Sequence, residues 1–171
     1  AIAARLARVV AKRAMAAEER DALLGRIRRS MSIEDMSDAD FVIEAASENE
    51  PLKIKIFQDL DRNCRGGVIL ASNTSSIPIG RIAAQTKRPD KVIGMHFMHP
   101  APVMKLVEVI RALATSEQTF RTTCDLCTSF GKTPAEGADY PGFISNRIVM
   151  PMINEAVYCL YEGVGSRESI D

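Results

Sequence analysis

Between residues 41 and 110, short and continuous apolar runs alternate with helical stretches, and this alternation restricts the fold more than any other feature. Strands with one face in water alternate apolar and polar residues, whereas strands buried on both faces are apolar throughout. Such strands, separated by helices, are typical of a parallel sheet covered on both sides. The predicted fold class is therefore α/β. The predicted strands are residues 41–45, 68–71, 92–97 and 105–110, and the helical stretches between them are 52–60 and 79–84.

Helical periodicity also predicts elements on either side of this core. Residues 2–15 have the spacing of an amphipathic helix, and residues 17–27 form a second one with Glu18 and Glu19 in its first turn, where the helix dipole favours negative charge. Residues 117–130 are a further helix, and Gly131 is placed to end it. Residues 133–136 are a candidate edge strand. No capping residue precedes Ile2, so we expect the chain to begin inside an element.

A turn cluster marks the predicted domain boundary. Asp139, Tyr140, Pro141 and Gly142 follow one another, and residues 143–161 are then strongly apolar with a helical pattern interrupted by Pro151. We therefore predict one domain over residues 1–139 and the start of a second, helical domain over residues 140–171.

Charge and composition exclude several classes of partner. The 171 residues contain 22 Lys and Arg against 22 Asp and Glu, and only 5% are aromatic, which does not favour nucleic-acid binding. No apolar run approaches the roughly 18 residues of a spanning helix, so we expect no membrane insertion. Four cysteines without a secretory leader predict a reducing compartment, hence a cytoplasmic protein.

Hydroxyl side chains follow a predicted strand. The segment 72–76 reads Ser-Asn-Thr-Ser-Ser and comes directly after residues 68–71. Ligands of open α/β sheets bind at the carboxyl ends of the strands, so this segment is a candidate site. The alternative is that these residues cap the helix that follows.

The next predicted strand, residues 92–97, carries His96 near its end, and the one after it contains Glu108 within an apolar run. Histidine exchanges protons near neutral pH, which makes His96 a candidate general base. A carboxylate in an apolar strand requires a donor partner, and a neighbouring histidine supplies one. The pair would then be a base and the acid that orients it. The alternative is that Glu108 lies on an edge strand and points into solvent.

Two further spacings are compatible with a zinc site. Cys124 and Cys127 are three residues apart, as are His96 and His99. The cysteines fall within a predicted amphipathic helix, where cysteine is ordinary core material, and structural zinc sites are usually made on turns. The sequence therefore predicts no metal.

Five segments resemble the L-3-hydroxyacyl-CoA dehydrogenases, including the short-chain 3-hydroxybutyryl-CoA members. They cover nearly all of the chain from Asp40 onward: DFVIEAASENEPLKIKIF, GVILASNTSSIPI, VIGMHFMHPAPVMKLVEVI, GKTPAEGADYPGFISNRI and PMINEAVYCLYEGV. The resemblance implies a Rossmann domain that binds NAD, followed by a helical domain that forms a homodimer. It also implies oxidation of the 3-hydroxyl of an acyl-CoA to a ketone, within fatty acid or butanoate metabolism.

The resemblance also assigns roles to residues. It places the catalytic histidine at His96 and its orienting glutamate at Glu108. It adds Ser75 and Asn146 to the catalytic residues, Ser75 as a contact to substrate and cofactor and Asn146 as a substrate contact. Glu48 and Lys53 match positions that face NAD, and Lys12 loosely matches a position that contacts CoA, although a solvated basic helix face is the simpler interpretation of Lys12.

Two departures from the family pattern stand out. The family has Asn three residues after the catalytic histidine, in contact with the nicotinamide side. This chain has His99 there, whose imidazole is able to donate one hydrogen bond, so we expect His99 to contact the cofactor. The GxGxxG turn, which would seat the pyrophosphate, does not occur in residues 1–171. We therefore expect an internal fragment that lacks the first strands of its Rossmann-type sheet, binds NAD weakly and is inactive alone. The rival hypothesis is a truncated or cofactor-less relative that acts as a non-enzymatic binding or assembly module.

Overall fold

The computed structural model describes residues 2–11 and 15–171, which form two compact units that meet in sequence between Asp35 and Met36. The first unit contains helices α1 (Ile2–Ala11) and α2 (Ala17–Gly25). Both were predicted, and Glu18 and Glu19 do lie in the first turn of α2. Helix α2 ends two residues before the predicted end. No side chain of either helix is buried in the described part of this unit.

The second unit is built on a five-stranded sheet in the order β1-β2-β3-β4-β5. Its strands are β1 (Phe41–Glu44), β2 (Ile69–Ser72), β3 (Val92–Phe97), β4 (Leu106–Arg111) and β5 (Thr133–Ala138). Its helices are α3 (Glu50–Asn63), α4 (Ile79–Ala83), α5 (Glu117–Ser129), α6 (Ser145–Tyr161) and α7 (Arg167–Ile170), with a short 3-10 turn at Pro89–Lys91. A further 3-10 turn covers Glu34–Met36, where the two units meet in sequence.

Local sequence signals account for the limits of the helices. Asn49 caps α3, since its Oδ1 accepts a hydrogen bond from the Leu52 amide at 2.9 Å, and a proline follows in the first turn. Helix α5 is capped by Ser116, and Gly131 follows its end with a φ of 70°, a conformation that glycine adopts without strain. The predicted role of Gly131 is confirmed.

The apolar strands are buried from both sides. On one face, strand side chains pack against Cys127 of α5 in a core that also includes Ile69, Ile93, Met95 and Val109. On the other face, α4 approaches so closely that a Cβ at Gly94 would lie 3.1 Å from the Ile79 side chain. The predicted α/β class is confirmed, and so is the covering of both faces.

One strand pair differs from an all-parallel sheet. The pairs β1–β2, β2–β3 and β4–β5 are parallel, whereas β3 and β4 are antiparallel. Only residues 98–105 connect β3 to β4, and a parallel crossover needs a dozen or more residues. The chain must therefore reverse, and this reversal sets the register of the site described below.

Helix α6 follows the predicted turn cluster. Gly142 has a φ of 79°, and the helix begins at Ser145, two residues later than predicted. Pro151 lies inside it, and none of its residues is buried. The predicted domain boundary, with one domain over residues 1–139 and the next over residues 140–171, stays a prediction. Within the described residues, no helix is long and apolar enough to cross a bilayer.

Candidate active site

The antiparallel register of β3 and β4 places His96 directly opposite Glu108. Paired residues in an antiparallel ladder point to the same face of the sheet. The His96 Nδ1 and the Glu108 Oε2 are 2.7 Å apart, and both side chains are buried. The structure therefore brings together the two residues that the sequence proposed as a pair. It does not place Glu108 in solvent on an edge strand, because β5 covers that side of β4.

Glu108 accepts three more hydrogen bonds from the beginning of α6. Its Oε1 accepts from the backbone amides of Ile144 at 3.0 Å and Ser145 at 2.8 Å, and its Oε2 accepts from the Ser145 hydroxyl at 2.7 Å. Burial by itself opposes ionisation, but the hydrogen bonds from His96, Ser145 and Ile144 outweigh it and hold the pKa of Glu108 below its ordinary value. The carboxylate is therefore an anion at neutral pH.

An anionic Glu108 decides how His96 can act. The carboxylate accepts a hydrogen bond from Nδ1–H, so the neutral imidazole carries its hydrogen there and presents a lone pair at Nε2. Among the described residues nothing hydrogen-bonds to Nε2, and the Phe143 ring packs beside the imidazole at 5.8 Å between centroids. This arrangement suits a general base oriented by an acid.

Ser75 and Asn146 lie side by side near this pair. The Asn146 Nδ2 donates to the Ser75 carbonyl oxygen at 3.4 Å, and Asn146 follows Ser145, which binds Glu108. Within residues 2–11 and 15–171 the Ser75 hydroxyl has no hydrogen-bond partner of its own. The contact between Ser75 and Asn146 is thus one residue removed from Ser145, and the roles of the two side chains as substrate contacts stay predictions.

The segment 72–76 does not cap the following helix through its side chains. Helix α4 begins at Ile79, and its first amides, those of Ile79 and Gly80, donate to the Asp139 carboxylate at 2.8 and 2.7 Å. The Thr74 hydroxyl instead accepts from the Ile77 amide at 3.0 Å and shapes the turn. The alternative interpretation of this segment as a helix cap is therefore wrong.

Glu48 fixes the loop that carries Ser75. Its Oε1 accepts hydrogen bonds from the Thr74 hydroxyl, from the amides of Ser75 and Ser76, and from the Ser76 hydroxyl, at 2.5 to 3.1 Å. Partial burial opposes its ionisation, but these bonds and the nearby Lys53 charge lower the pKa of Glu48 overall. A contact from Glu48 to a cofactor stays a prediction.

Lys53 is buried below this loop, with 1% of the residue exposed. Its ammonium donates to both Glu44 oxygens at 2.8 and 3.0 Å and to the Ala46 carbonyl at 3.1 Å, and it lies 3.7 Å from the Glu48 Oε2. All three ammonium protons therefore have protein partners. The predicted cofactor contact of Lys53 is not tested by this geometry.

Of the remaining predicted residues, one is exposed beyond β3 and another lies outside the described residues. His99 follows β3 and is exposed, so its predicted cofactor contact also stays a prediction. Lys12 lies outside the described residues. Cys127 is buried in the core, and burial raises the pKa of its thiol to about 11. In the described part of the chain, no three His, Cys, Asp or Glu side chains are placed to hold a metal ion.

Sequence reasoning missed Ser145 and Ile144 as partners of Glu108. The only available signal was chemical, since a buried carboxylate accepts up to about four hydrogen bonds and His96 supplies one. That argument predicts further donors but does not identify them, because they lie 36 and 37 residues along the chain.

Comparison with known proteins identifies relatives with the same architecture. A curated probable 3-hydroxybutyryl-CoA dehydrogenase from Bacillus subtilis is 54% identical over 166 residues, which is 97% of this chain and 58% of that protein. Its counterpart from Bradyrhizobium diazoefficiens is 48% identical over 166 residues, covering 97% of this chain and 57% of that one. The chain thus spans less than two thirds of these relatives.

Solved structures agree with this relationship. The (S)-3-hydroxybutyryl-CoA dehydrogenase of Ralstonia eutropha superimposes with a TM-score of 0.95 at 47% identity, over 99% of this chain and 60% of that one. The 3-hydroxybutyryl-CoA dehydrogenase of Escherichia coli gives 0.96 at 43% identity, over 99% of this chain and 36% of that one. The sheet is therefore the Rossmann-type sheet that the sequence predicted.

Family models divide the chain in two. Residues 1–140 match the model described as the NAD binding domain of 3-hydroxyacyl-CoA dehydrogenase, which supports NAD as the cofactor. Residues 142–171 match the C-terminal domain of the same family. With 140 of 171 residues matched by the first model alone, the chain belongs to the 3-hydroxyacyl-CoA dehydrogenase family.

Proposed function

We propose that this chain supplies the catalytic base of an NAD-dependent oxidoreductase that converts an L-3-hydroxyacyl-CoA to the 3-ketoacyl-CoA. The observation that carries the proposal is the His96–Glu108 pair, in which the imidazole donates Nδ1–H to a buried carboxylate at 2.7 Å. Alcohol oxidation requires a base for the hydroxyl proton, and the free Nε2 of His96 is that base. The family relationship supports the redox half of the reaction.

In the proposed reaction each residue of the site has a separate role in the transfer of one proton. His96 accepts the 3-hydroxyl proton at Nε2, and Glu108 stabilises the imidazolium that results. Ser75 and Asn146 donate hydrogen bonds to the substrate oxygen atoms on which charge develops. In the reverse direction the same imidazolium returns the proton to the carbonyl oxygen, so His96 is then the acid.

The carboxyl edge of the sheet fits the nicotinamide end of NAD. At this edge the Ser75 hydroxyl has no hydrogen-bond partner among the described residues, and the Glu48 side chain is 41% exposed with the Lys53 ammonium 3.7 Å from its Oε2. Together with His99, these are the residues that would hold this end of the cofactor. When bound, NAD accepts the two electrons and the hydrogen released from C3 of the substrate. The weak binding expected for residues 1–171 alone is tested by calorimetric titration with NADH.

The names of the relatives point to the substrate. Several are 3-hydroxybutyryl-CoA dehydrogenases, so we propose a short acyl chain and a place in fatty acid or butanoate metabolism. A CoA contact from Lys12 remains part of this proposal. Neither the comparisons nor the described residues favour the rival hypothesis of a non-enzymatic module.

Helix α6 supports a homodimer as the assembled form. Its apolar side chains are exposed, and a helix that is apolar over most of its circumference is normally covered on more than one side. We also propose a cytoplasmic location, which the free thiols of all four cysteines support.

A chimera tests the proposed activity directly. The 171 residues replace the matching region of the Bacillus subtilis relative, and NADH formation is followed with 3-hydroxybutyryl-CoA, a longer 3-hydroxyacyl-CoA and free 3-hydroxybutyrate. We expect oxidation of the short acyl-CoA, and a loss of about 10²- to 10⁴-fold in kcat with His96→Gln. Ser129→Ala, on the far end of α5, is the matched control. A folded chimera that oxidises neither acyl-CoA would refute the proposal.

A further inference from the structure

The carboxylate of Glu108 is shared between two parts of the chain that match different family models. His96 and Glu108 lie in the region that matches the NAD-binding domain, whereas Ile144 and Ser145 lie in the region that matches the C-terminal domain. Three of the four hydrogen bonds on Glu108 come from the C-terminal side. The acid that orients the base is therefore completed by the first turn of α6.

The two oxygens of Glu108 are used differently. Oε1 accepts the two backbone amides, which fix the plane of the carboxylate. Oε2 accepts both the His96 Nδ1–H and the Ser145 hydroxyl, each at 2.7 Å. Two donors on one oxygen compete for its negative charge, so each weakens the bond that the other makes.

We infer that Ser145 is a positioning residue that acts through Glu108: its hydroxyl limits how strongly the carboxylate holds a proton on the His96 ring. The catalytic meaning of this inference rests on the proposed function, because only a base needs such adjustment. Without the hydroxyl, Oε2 carries more negative charge toward His96 and stabilises the imidazolium further. The base would then be protonated over a wider range of pH.

The other groups around His96 are already engaged. Phe143, before α6, contributes an aromatic ring, and Arg147, in the first turn of α6, lies over the Tyr140 ring. On the β1–α3 side, Lys53 is bonded to Glu44, and Glu48 is bonded to the loop 74–76. Glu108 on β4 is the charged group hydrogen-bonded to the imidazole. The effect of Ser145 is therefore expected to pass through this carboxylate.

Imidazole titration by NMR tests the inference on the 171-residue chain itself. The sequence contains only two histidines, so a histidine-labelled sample gives two sets of ring signals, which His99→Gln assigns. We expect Ser145→Ala to move the titration midpoint of the His96 signals upward by about half a pH unit. The exposed His99 serves as the internal reference, and Ser129→Ala is the matched control, expected to match the unaltered chain.

A double-mutant cycle shows whether the effect passes through Glu108. In a Glu108→Gln background the carboxylate is absent, so Ser145→Ala should no longer move the His96 midpoint. A shift of equal size in that background would overturn the inference, as would an unchanged or lowered midpoint for Ser145→Ala alone.

An isosteric pair covers the case in which Ser145→Ala does not fold. Ser145→Thr keeps the hydroxyl and Ser145→Val replaces it with a methyl group, so we expect the higher midpoint only in the valine variant. Equal midpoints for the two variants would overturn the inference. The titration needs neither NAD nor acyl-CoA. Its result is therefore separate from that of the chimera assay.

Discussion

The β3–β4 strand pair and helix α6 meet at Glu108, yet the strand pair buries a charged side chain whereas the helix exposes apolar ones. Glu108 is charged and only 1% exposed, whereas Ile148 and Met152 on α6 are apolar and each 62% exposed. The buried charge is stable because all of its hydrogen-bond acceptor capacity is used within the chain. The exposed apolar side chains of α6 are not covered by other residues of the described chain. We therefore expect another protein surface to cover them.

In this chain a charged side chain is buried where hydrogen-bond partners surround it, so polarity alone does not decide which side chains are buried. Lys53 shows the same rule as Glu108, because its ammonium is buried with three acceptors around it. Substitutions in α6 or at Glu108 change one of these two regions at a time.

The largest effect is expected when the exposed face of α6 is made polar. Ile148 and Met152 are one turn apart and lie on the same side of the helix. Burying each such side chain is worth about 1.5–3 kcal/mol, so the unaltered chain should self-associate, and Ile148→Glu with Met152→Glu should weaken association at least about 100-fold. Sedimentation at several concentrations measures this.

Asn154→Glu, on the opposite side of α6, is the matched control and should associate like the unaltered chain. If the unaltered chain is a monomer at every concentration, the interpretation of α6 as an interface is wrong.

The next effect concerns the stability of the buried side. Glu108→Leu keeps a similar volume but leaves the His96 ring, the Ser145 hydroxyl and two amides without their acceptor. We expect a loss of about 3–5 kcal/mol in the free energy of unfolding, measured by urea denaturation. Ile148→Ser on the exposed face should stay within about 0.5 kcal/mol. Equal losses of unfolding free energy in the two variants would show that the buried carboxylate and the exposed face of α6 do not differ in their contribution to stability.

A milder change at the same position separates chemistry from folding. Glu108→Gln can still accept from the α6 amides through its carbonyl oxygen, but it cannot stabilise an imidazolium as an anion does. In the chimera we expect kcat to fall about 10- to 100-fold with KM nearly unchanged, because the effect is on the base and not on the CoA. Steady-state kinetics measure both constants, and a change confined to KM would contradict the role of Glu108.

The smallest effect is expected from acid. The pKa values of Glu108 and Glu48 are lowered in the folded chain, so both carboxylates stabilise it above their ordinary pKa range. That stabilisation is lost as the pH falls through the lowered values, because the protonated groups lose their charge-assisted hydrogen bonds. Urea denaturation at a series of acidic pH values should show this decline. Glu108→Gln should reduce the slope, and an unchanged slope would contradict the assignment.

The local elements could be predicted because their signals are local. Strand β3 was predicted with its observed limits, Val92–Phe97, from an uninterrupted apolar run, and the end of α5 followed from Gly131. His96 and Glu108 were candidates for a chemical reason, since a charged residue inside an apolar strand requires a partner. These inferences need only the residues within one or two elements.

The contacts between distant elements could not be predicted in the same way. Asp139 caps α4 from 59 and 60 residues away, and Ser145 reaches Glu108 across 37 residues. No periodicity links such positions, because each depends on where two separately formed elements come to lie. The identity of these donors was therefore open until the packing was known.

By itself, the sequence determined the α/β class, the choice of His96 and Glu108 as a candidate pair, and the apolar character of α6. Only the tertiary structure decided that β4 runs antiparallel to β3, that this register sets His96 opposite Glu108, and that the start of α6 closes over the carboxylate. The physical reason is the range of the interactions. Strand and helix propensities act over a few residues, whereas register and burial are settled by the packing of the whole sheet.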